Sequence, residues 1–279
     1  MTRTIYAATM VALLSTSALA DVTIGGDFAW SYQDNDSAKS TVVDADLNIK
    51  PSITSDSGLT VSADFNINQD GNDDGGNSLT VSNDQFKLDL GDTNSALDAI
   101  DDVTDFGYFL TNGSPSVDHA AILTLTPFNG LKVNASYASG DDYGTTAGEG
   151  YAVSAAYAIG EIATVGYGKM YNADDSEATI MNVSGSAGPI GLAAELYTDT
   201  TAAGVDTDTT TMSATYSIGS TTVGVETMKA ESAGTVSSDE LTWGIHQTVA
   251  PGLVAFVEMT SDDKTASEKT TAIGLAMTF

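Results

Sequence analysis

The sequence contains no cysteine and very little positive charge. Of its 279 residues, 9 are Lys or Arg and 38 are Asp or Glu, which gives a formal net charge of −29. The lack of cysteine excludes a disulfide scaffold and thiolate metal sites, and two histidines, His119 and His246, leave little room for a histidine-rich metal centre. So acidic a chain repels nucleic acid and anionic surfaces, and we expect no nucleic-acid partner.

Beyond its first twenty residues, the sequence also lacks long apolar runs. Residues 1–20 combine a basic start at Arg3, an apolar stretch and the small-residue ending Ala18-Leu19-Ala20, which is the pattern of a cleaved secretory signal peptide. We therefore expect a signal peptide over residues 1–20 and a mature chain of 8 lysines against 38 acids, with a formal charge of −30. No later stretch approaches the length of about 18 apolar residues that a spanning helix needs.

Alternation of apolar and polar residues is the dominant pattern in the rest of the chain. Between residues 22 and 33, one phase carries the apolar side chains of Val22, Ile24, Phe28, Trp30 and Tyr32. The same period of two returns around residues 43–50, 61–68, 86–90 and 272–279. This period predicts β-strands with one apolar face. The other face carries carboxylates in mid-strand.

Turn signals divide the chain into sixteen predicted strands. Tight turns of roughly two to four residues alternate with longer Asp-, Gly- and Ser-rich stretches, such as 199–208 and 230–239. One connection, from Thr93 to Asp118, is much longer than the others. An even strand number with alternating short and long connections is typical of bacterial outer-membrane barrels. We therefore predict an all-β fold, a transmembrane antiparallel β-barrel over residues 21–279, with both termini at the periplasmic end.

Three short motifs resemble those of a known family. They are Asp21-Val-Thr-Ile-Gly-Gly-Asp27, Phe86-Lys-Leu-Asp-Leu-Gly-Asp92 and the C-terminal Gly274-Leu-Ala-Met-Thr-Phe279. Together with the strand layout, they resemble the general diffusion porins of alphaproteobacteria, the Rhodobacter type. The resemblance implies homotrimers of sixteen-stranded, water-filled barrels whose third loop folds inward to narrow the pore. It also implies that Phe279 is part of the signal read by the outer-membrane assembly machinery.

The function expected from this resemblance is passive diffusion of ions and small hydrophilic solutes through the Gram-negative outer membrane, after export through the periplasm. The lipid bilayer and lipopolysaccharide would surround the barrel, and its roughly sixteen strands would leave a lumen too wide for side chains to fill. The sequence has no nucleophile elbow, phosphate loop or zinc-ligand pair, so we do not expect an enzyme. The alternative is a secreted acidic β-rich adhesin or Ca²⁺-dependent surface protein.

The third loop, residues 93–118, is the candidate constriction. Either Asn94 or Ser95 can cap a short helical turn, with Leu97 and Ile100 packed on the loop or the wall. Four acidic side chains of this loop are the candidate constriction residues: Asp98, Asp101, Asp102 and Asp105.

Charged residues on the polar phases of the early strands are the candidate pore lining: Asp27, Asp44, Asp46, Asp64, Asp89, Lys50 and Lys87. Both lysines fall close to tight turns, as does Lys132, and we place all three near the periplasmic mouth. Porins of the family usually place arginines opposite the acidic third loop, and this sequence has none there. The excess of acid in the lumen predicts a preference for cations.

The segment after residue 69 matches part of a calcium-binding loop. Asp70, Asn72 and Asp74 align with the first half of an EF-hand loop, but the twelfth position is Val81 instead of Glu. We interpret the segment as a surface hairpin loop, with weak Ca²⁺ binding left open. We expect no other cofactor.

Overall fold

The computed structural model describes residues 20–35, 38–68, 77–101, 106, 118–138, 149–264 and 269–279. Residues 1–19, which make up nearly all of the predicted signal peptide, lie outside this part of the chain. Among the described residues, no helix has the length and apolar character needed to cross a membrane.

Sixteen antiparallel strands form one closed barrel, as the turn signals predict. Every strand pairs with its neighbours in sequence, and the first strand pairs with the last. The strands are β1 (Ala20–Asn35), β2 (Ala38–Thr54), β3 (Thr60–Asn68), β4 (Ser78–Ser82), β5 (Phe86–Asn94), β6 (Asp118–Phe128), β7 (Leu131–Ala138), β8 (Gly150–Ile159), β9 (Ala163–Asn172), β10 (Glu177–Ala187), β11 (Ile190–Thr200), β12 (Asp206–Ile218), β13 (Thr221–Ser232), β14 (Thr235–Ala250), β15 (Leu253–Asp262) and β16 (Lys269–Thr278).

The apolar rows face outward. Side chains such as Phe65, Leu275 and Met181 are 47%, 45% and 47% exposed, although a soluble protein would bury residues of these types. Neighbouring strands bring apolar rows together, as in the pairing of Trp30 with Leu275. The barrel therefore presents a continuous apolar band to its surroundings. Lipid can cover such a band without leaving backbone groups unpaired, because a closed sheet has no edge.

The barrel closes where β1 pairs with β16, and the last residue, Phe279, adds two backbone hydrogen bonds to this pairing. The N–H of Gly26 donates to the carbonyl oxygen of Phe279 at 3.0 Å, and the N–H of Phe279 donates to the carbonyl oxygen of Gly26 at 3.0 Å. The side chain of Phe279 remains 63% exposed on the outer surface. The end of the chain is thus part of the seam between β1 and β16.

Several connections are shorter than the sequence predicts. The predicted long stretch 230–239 is mostly strand, because β13 runs to Ser232 and β14 begins at Thr235. Ala233 and Gly234 have positive φ angles of 49° and 77°, as a two-residue hairpin turn requires. Polar Ser and Thr residues continue the ladder above the apolar band, so the change in composition marks the end of the band and not the end of the strand.

The described part of the third long connection folds into the barrel. We call this connection, residues 95–117 between β5 and β6, loop 3. Of loop 3, the structure describes residues 95–101 and Phe106. Ala96, Leu97, Ile100 and Phe106 are all buried against inward-facing side chains of the wall. For these residues, the inward fold of the third loop predicted from the sequence is confirmed.

Candidate pore constriction

Loop 3 begins with one capped helical turn. The Oγ atom of Ser95 accepts hydrogen bonds from the N–H groups of Leu97 and Asp98, both at 3.2 Å. The carboxylate of Asp98 accepts a hydrogen bond from the N–H of Ser95 at 2.9 Å. This reciprocal arrangement is a capping box with Asp in the place of the usual Glu. Of the two predicted caps, Ser95 and not Asn94 is therefore the residue that starts the turn.

The apolar side of this turn packs on the inner wall. Ala96, Leu97 and Ile100 form one buried cluster with wall residues of β6 and of β8 to β11: Ile122, Ala152, Met170, Ala178, Ile180 and Tyr197. Two hydrogen bonds fix the turn in place: the N–H of Ala96 donates to Ser136 Oγ at 2.7 Å, and Asn182 Nδ2 donates to the carbonyl oxygen of Ile100. Apolar residues that face inward in these strands thus form a docking surface for the loop.

Two cavities lie beside the turn and share Ala99 in their lining. One, of about 600 Å³, is lined by charged side chains that include Lys50, Asp64, Lys87 and Asp89. The other, of about 490 Å³, is lined by Asp101, Lys132 and Asn182, among others. Loop 3 therefore occupies part of the lumen and leaves polar space next to it, which is the geometry of a constriction.

Two lysines of the first cavity are bound to wall carboxylates. Lys50 Nζ lies 2.7 Å from Asp64 Oδ2, and Lys87 Nζ lies 2.9 Å from Asp89 Oδ2. The hydroxyl of Thr80 also donates to Asp89. The sequence analysis placed these lysines near the periplasmic mouth and did not pair them with the wall acids. In the structure they offset two of them, because side chains of this length reach along the inner wall.

The remaining predicted wall residues lie on the inner rows of β1 and β2. Asp27 is directly opposite Asp46, and Asp44 is opposite Ala29. Asp98 and Asp101 are partly exposed on loop 3. Asp102 and Asp105 lie outside the described residues, as do Asp70, Asn72 and Asp74 of the EF-hand-like segment. Within the described residues, no group of three or more His, Cys, Asp or Glu side chains could hold a metal ion.

The lysines of the strands are divided between the two faces of the barrel. At the end with the tight turns, Lys50, Lys87 and Lys132 line the interior cavities. At the end with the longer loops, the strand lysines share the outward phase of exposed apolar residues: Lys39, Lys169, Lys229 and Lys269. Lys169 pairs with Glu177 at 2.8 Å and lies 4.8 Å from the centre of the Tyr171 ring. The lumen at the loop end therefore contains no lysine from the described strands.

The sequence analysis missed three buried glutamates of the inner wall. Glu195 on β11 is 5% exposed, and Glu226 on β13 and Glu258 on β15 are fully buried. Each stands on the inward phase, between outward-facing neighbours such as Val225 and Val257. The alternation of the sequence could have identified these glutamates as inward-facing, but the sequence analysis assigned inward carboxylates on the early strands alone. The alternation does not predict which part of the wall loop 3 covers, and therefore does not predict that these glutamates are buried.

Phe106 is a second attachment point of loop 3 that the sequence analysis also missed. Its ring stacks on His246 of β14, with centroids 4.5 Å apart and planes 6° from parallel. Its N–H donates to Glu226 Oε2 at 3.0 Å. A contact across 140 positions in sequence leaves no local signal, so it emerges only from the fold.

Asp174, a carboxylate at the loop end, has a lowered pKa. Asp174, in the turn between β9 and β10, accepts hydrogen bonds from the hydroxyl of Ser176 at 2.6 Å and from its N–H at 3.0 Å. These bonds lower the pKa of Asp174 below its ordinary value, because they favour the ionised form. The rim of the barrel at this end therefore keeps this negative charge in mildly acidic solution.

Known proteins resemble the chain in sequence family and in fold. The model of the Gram-negative porin family matches residues 7–268. No curated protein matches the chain in sequence.

Among solved structures, a porin refined at 1.8 Å resolution is 18% identical, with a TM-score of 0.73 over 93% of this chain and 100% of that chain. A loop-deletion variant of the outer-membrane protein OmpT of Vibrio cholerae is 15% identical, with a TM-score of 0.75 over 93% and 99% of the two chains. A triple mutant of Rhodopseudomonas blastica porin is 16% identical, with a TM-score of 0.72 over 93% and 100%. These structures share the barrel fold.

Proposed function

We propose that this chain, which belongs to the Gram-negative porin family, conducts ions and small hydrophilic solutes by passive diffusion and favours cations over anions. Membership of the family and the closed barrel make it an outer-membrane porin. The selectivity, the role of loop 3 as the constriction and the homotrimeric state are the parts that we propose.

The observation that carries the proposal is the position of the described part of loop 3 inside the barrel. A sheet of about sixteen strands leaves an aqueous channel. The turn at residues 95–101 occupies part of that channel and borders the two polar cavities. Solutes that cross the barrel must pass the loop, so its carboxylates and the wall opposite set the local potential. We take Asp98 and Asp101 as described members of the constriction, with Asp102 and Asp105 proposed from the sequence.

The balance of charge supports a preference for cations. The inner wall and loop 3 carry aspartates and glutamates on many strands, and the described lysines of the lumen are Lys50, Lys87 and Lys132. Lys50 and Lys87 neutralise Asp64 and Asp89 but leave the acids at the loop end of the lumen without a facing lysine from the described strands. Low-dielectric walls focus the remaining negative potential along the channel, which enriches cations and repels anions.

Export and assembly complete the proposal. Residues 1–20 would direct the chain to the periplasm and be removed there, and Phe279 would be read by the outer-membrane assembly machinery. The apolar band would then contact lipid, lipopolysaccharide and neighbouring subunits of a trimer. This band and the family match favour a porin over a secreted adhesin, since a secreted protein would have to expose the same apolar rows to water.

Reconstitution of the purified protein into planar bilayers and liposomes tests the function. We expect stepwise increases in conductance in the bilayer, and liposomes that swell when small sugars enter. The protein should also fractionate with outer membranes and migrate as a heat-modifiable oligomer. A protein recovered in buffer that produces no conductance steps would contradict the proposal and favour the adhesin.

A further inference from the structure

We propose that Phe106 and its binding site on the wall form a latch that holds loop 3 across the lumen and thereby sets the width of the pore. We call this site the Phe106 seat; it consists of Gly224, Glu226, Gly244 and His246. The inference rests on the proposed function, because it assigns the residues that keep the constriction in place.

The aromatic ring of Phe106 is enclosed by the seat. Phe106 is 5% exposed, and its ring lies parallel to that of His246 at a centroid distance of 4.5 Å. The His246 ring in turn meets Phe256 of β15 edge-on, at 6.4 Å and 77°. Such aromatic pairs add stabilisation beyond the burial of apolar area. The seat therefore buries the apolar ring of Phe106, which would otherwise be exposed to water in the lumen.

Two glycines provide the room for this ring. Gly224 of β13 and Gly244 of β14 are directly opposite each other in the sheet. A Cβ atom at Gly224 would overlap the Phe106 ring, and one at Gly244 would lie 3.2 Å from its Cε1 atom. Glycine weakens a strand interior and often marks a place where another group approaches closely. Here the paired glycines form a flat patch under the ring.

A buried carboxylate holds the backbone of Phe106. Glu226 is fully buried, and its Oε2 atom accepts the Phe106 N–H at 3.0 Å. A buried ionised carboxylate is costly unless it accepts hydrogen bonds, and bonds to an ionised acceptor are stronger than neutral ones. The bond therefore stabilises both partners and gives the latch a polar component in addition to the ring.

The orientation of the histidine is also fixed. His246 Nε2 lies 2.9 Å from Glu258 Oε1 on β15, and Glu258 is fully buried. This contact holds the imidazole flat against Phe106. Glu258 and His246 thus act as positioning residues for the loop and need not touch the solute.

Among the described residues of loop 3, the latch is the second of two attachments. The first is the cluster of Ala96, Leu97 and Ile100 on β6 and on β8 to β11, whereas the seat lies on β13 and β14. Four residues separate Asp101 from Phe106, and five steps of chain span at most about 18 Å. The two attachments of the described loop residues are therefore separated by only a short length of chain. If Phe106 leaves its seat, the described part of loop 3 keeps the first attachment alone.

The substitution Gly224→Ala tests the latch, because the direction of the change in conductance depends on whether Phe106 holds loop 3 in place. Adding a methyl group to an inner wall should narrow a pore slightly if nothing else moves. If Phe106 is a latch, the methyl group instead displaces the ring, and single-channel conductance and the size limit for sugars in liposome swelling both rise. Phe106→Ala should give the same increase, and the double variant should show no further increase, because both changes break one interaction.

The matched control is Gly191→Ala. Gly191 lies on the inner face of β11 near the tight turns, where an added Cβ would meet the movable hydroxyl of Thr215 and no described residue of loop 3. This variant should conduct like the wild type or slightly less. Heat-modifiable migration of every variant verifies that the barrel has formed.

A reversible crosslink tests the same point in one protein. A Cβ at Gly224 would lie 2.6 Å from Phe106 Cγ, which brings cysteines at the two positions near the Cβ–Cβ separation of disulfides, roughly 3.5–4.5 Å. The chain has no cysteine of its own. Phe106→Cys combined with Gly224→Cys should give narrow channels after oxidation with copper phenanthroline and wide channels after reduction with dithiothreitol.

The outcomes separate the latch from the proposed function. Wild-type protein without channel activity would contradict the porin function itself. Wild-type channels together with Gly224→Ala and Phe106→Ala channels of equal or lower conductance would overturn the latch and leave the porin function intact. Wider channels in both alanine variants, together with double-cysteine channels that are narrow when oxidised and wide when reduced, would establish it.

Discussion

Lys87 Nζ lies 2.9 Å from Asp89 Oδ2 on the inner face of β5, beside the turn of loop 3. The aspartate also accepts the hydroxyl of Thr80, so its negative charge is held between a cation and a hydrogen-bond donor. A second lysine–aspartate pair joins β2 to β3, where Lys50 binds Asp64 at 2.7 Å. One sector of the wall is therefore close to neutral. The selectivity of the pore must come from the carboxylates elsewhere in the lumen.

Removal of the lysine charge should strengthen the cation preference. In Lys87→Gln, Asp89 loses its counter-charge, and the lumen gains one net negative charge. Ions that pass within the screening length of Asp89, about 8 Å at physiological salt, would be exposed to this charge. The zero-current potential in a KCl gradient should shift further in the direction that marks cation preference. Because the lysine is more than half exposed, we expect stability to change by no more than about 1 kcal/mol.

Lys229→Gln is the control for this charge change. Lys229 pairs with Glu231 at 3.3 Å, but it projects from the outer face at the loop end. Its substitution should leave the zero-current potential nearly unchanged. Equal shifts in both variants would show that the effect of Lys87 on the potential does not depend on its position inside the lumen.

Neutralisation of the loop carboxylates should act in the opposite direction. Replacement of Asp98, Asp101, Asp102 and Asp105 by Asn should move the zero-current potential toward the nonselective value, with a modest effect on conductance in molar salt. Asp98→Asn retains a side-chain oxygen that can accept the N–H of Ser95, so the helical turn should persist. A potential that does not move would remove loop 3 from the selectivity mechanism and leave the wall acids responsible.

A set of rim carboxylates provides the matched control for the loop variant. Asp174, Asp175, Asp206 and Asp208 are exposed at the loop end of the barrel. Four Asp-to-Asn changes there alter the total charge by the same amount. The effect on the zero-current potential should be much smaller, since screening by salt separates the rim from the constriction.

The two faces of one strand should respond differently to the same new charge. Phe65 faces outward and is 47% exposed, and the adjacent Asn66 faces the lumen. Lysine near the bilayer midplane on the outer face costs roughly 2–4 kcal/mol, so Phe65→Lys should lower the amount of protein that assembles in the outer membrane. Asn66→Lys should assemble normally and weaken cation preference. Normal assembly of Phe65→Lys would indicate that a subunit contact or an interfacial position shields it.

The final residue tests the assembly signal. Phe279 forms two backbone hydrogen bonds with Gly26 at the seam, and its ring is exposed. Phe279→Ala keeps both backbone bonds, whereas deletion removes them. If the ring is read by the assembly machinery, both variants should reach the outer membrane poorly and Thr278→Ala should reach it normally. Equal outer-membrane amounts for Phe279→Ala and Thr278→Ala would contradict a role of the ring in assembly. The role of Phe279 would then be limited to its backbone hydrogen bonds at the seam.

The sequence predicts the barrel well because the barrel depends on a local pattern. Alternation of period two fixes which face of each strand meets lipid, and turn residues give the strand number, including the short β4. The helical turn with Leu97 and Ile100 on its packed side is also local, and the structure confirms it.

Other features of the lumen depend on register and long-range contact. Lys87 and Asp89 share a face because they are two residues apart, and this pair was readable from the sequence. The contact between Lys50 and Asp64 requires the register of β2 against β3. The Phe106 seat requires strands that lie more than a hundred residues away, and the burial of Glu226 and Glu258 follows from the path of loop 3. These contacts therefore follow from the closed barrel and not from any local motif.

The zero-current potential of the wild-type channel is the most direct test of a cation-preferring pore. The purified protein in a planar bilayer would separate two KCl solutions of unequal concentration, both in the range of tens of millimolar, where screening is weak. We predict that the dilute side becomes positive, because K⁺ crosses faster than Cl⁻, and that this potential decreases as both solutions approach molar salt. A dilute side that becomes negative, or a potential of zero at every concentration, would contradict the assignment of an acidic lumen to this porin.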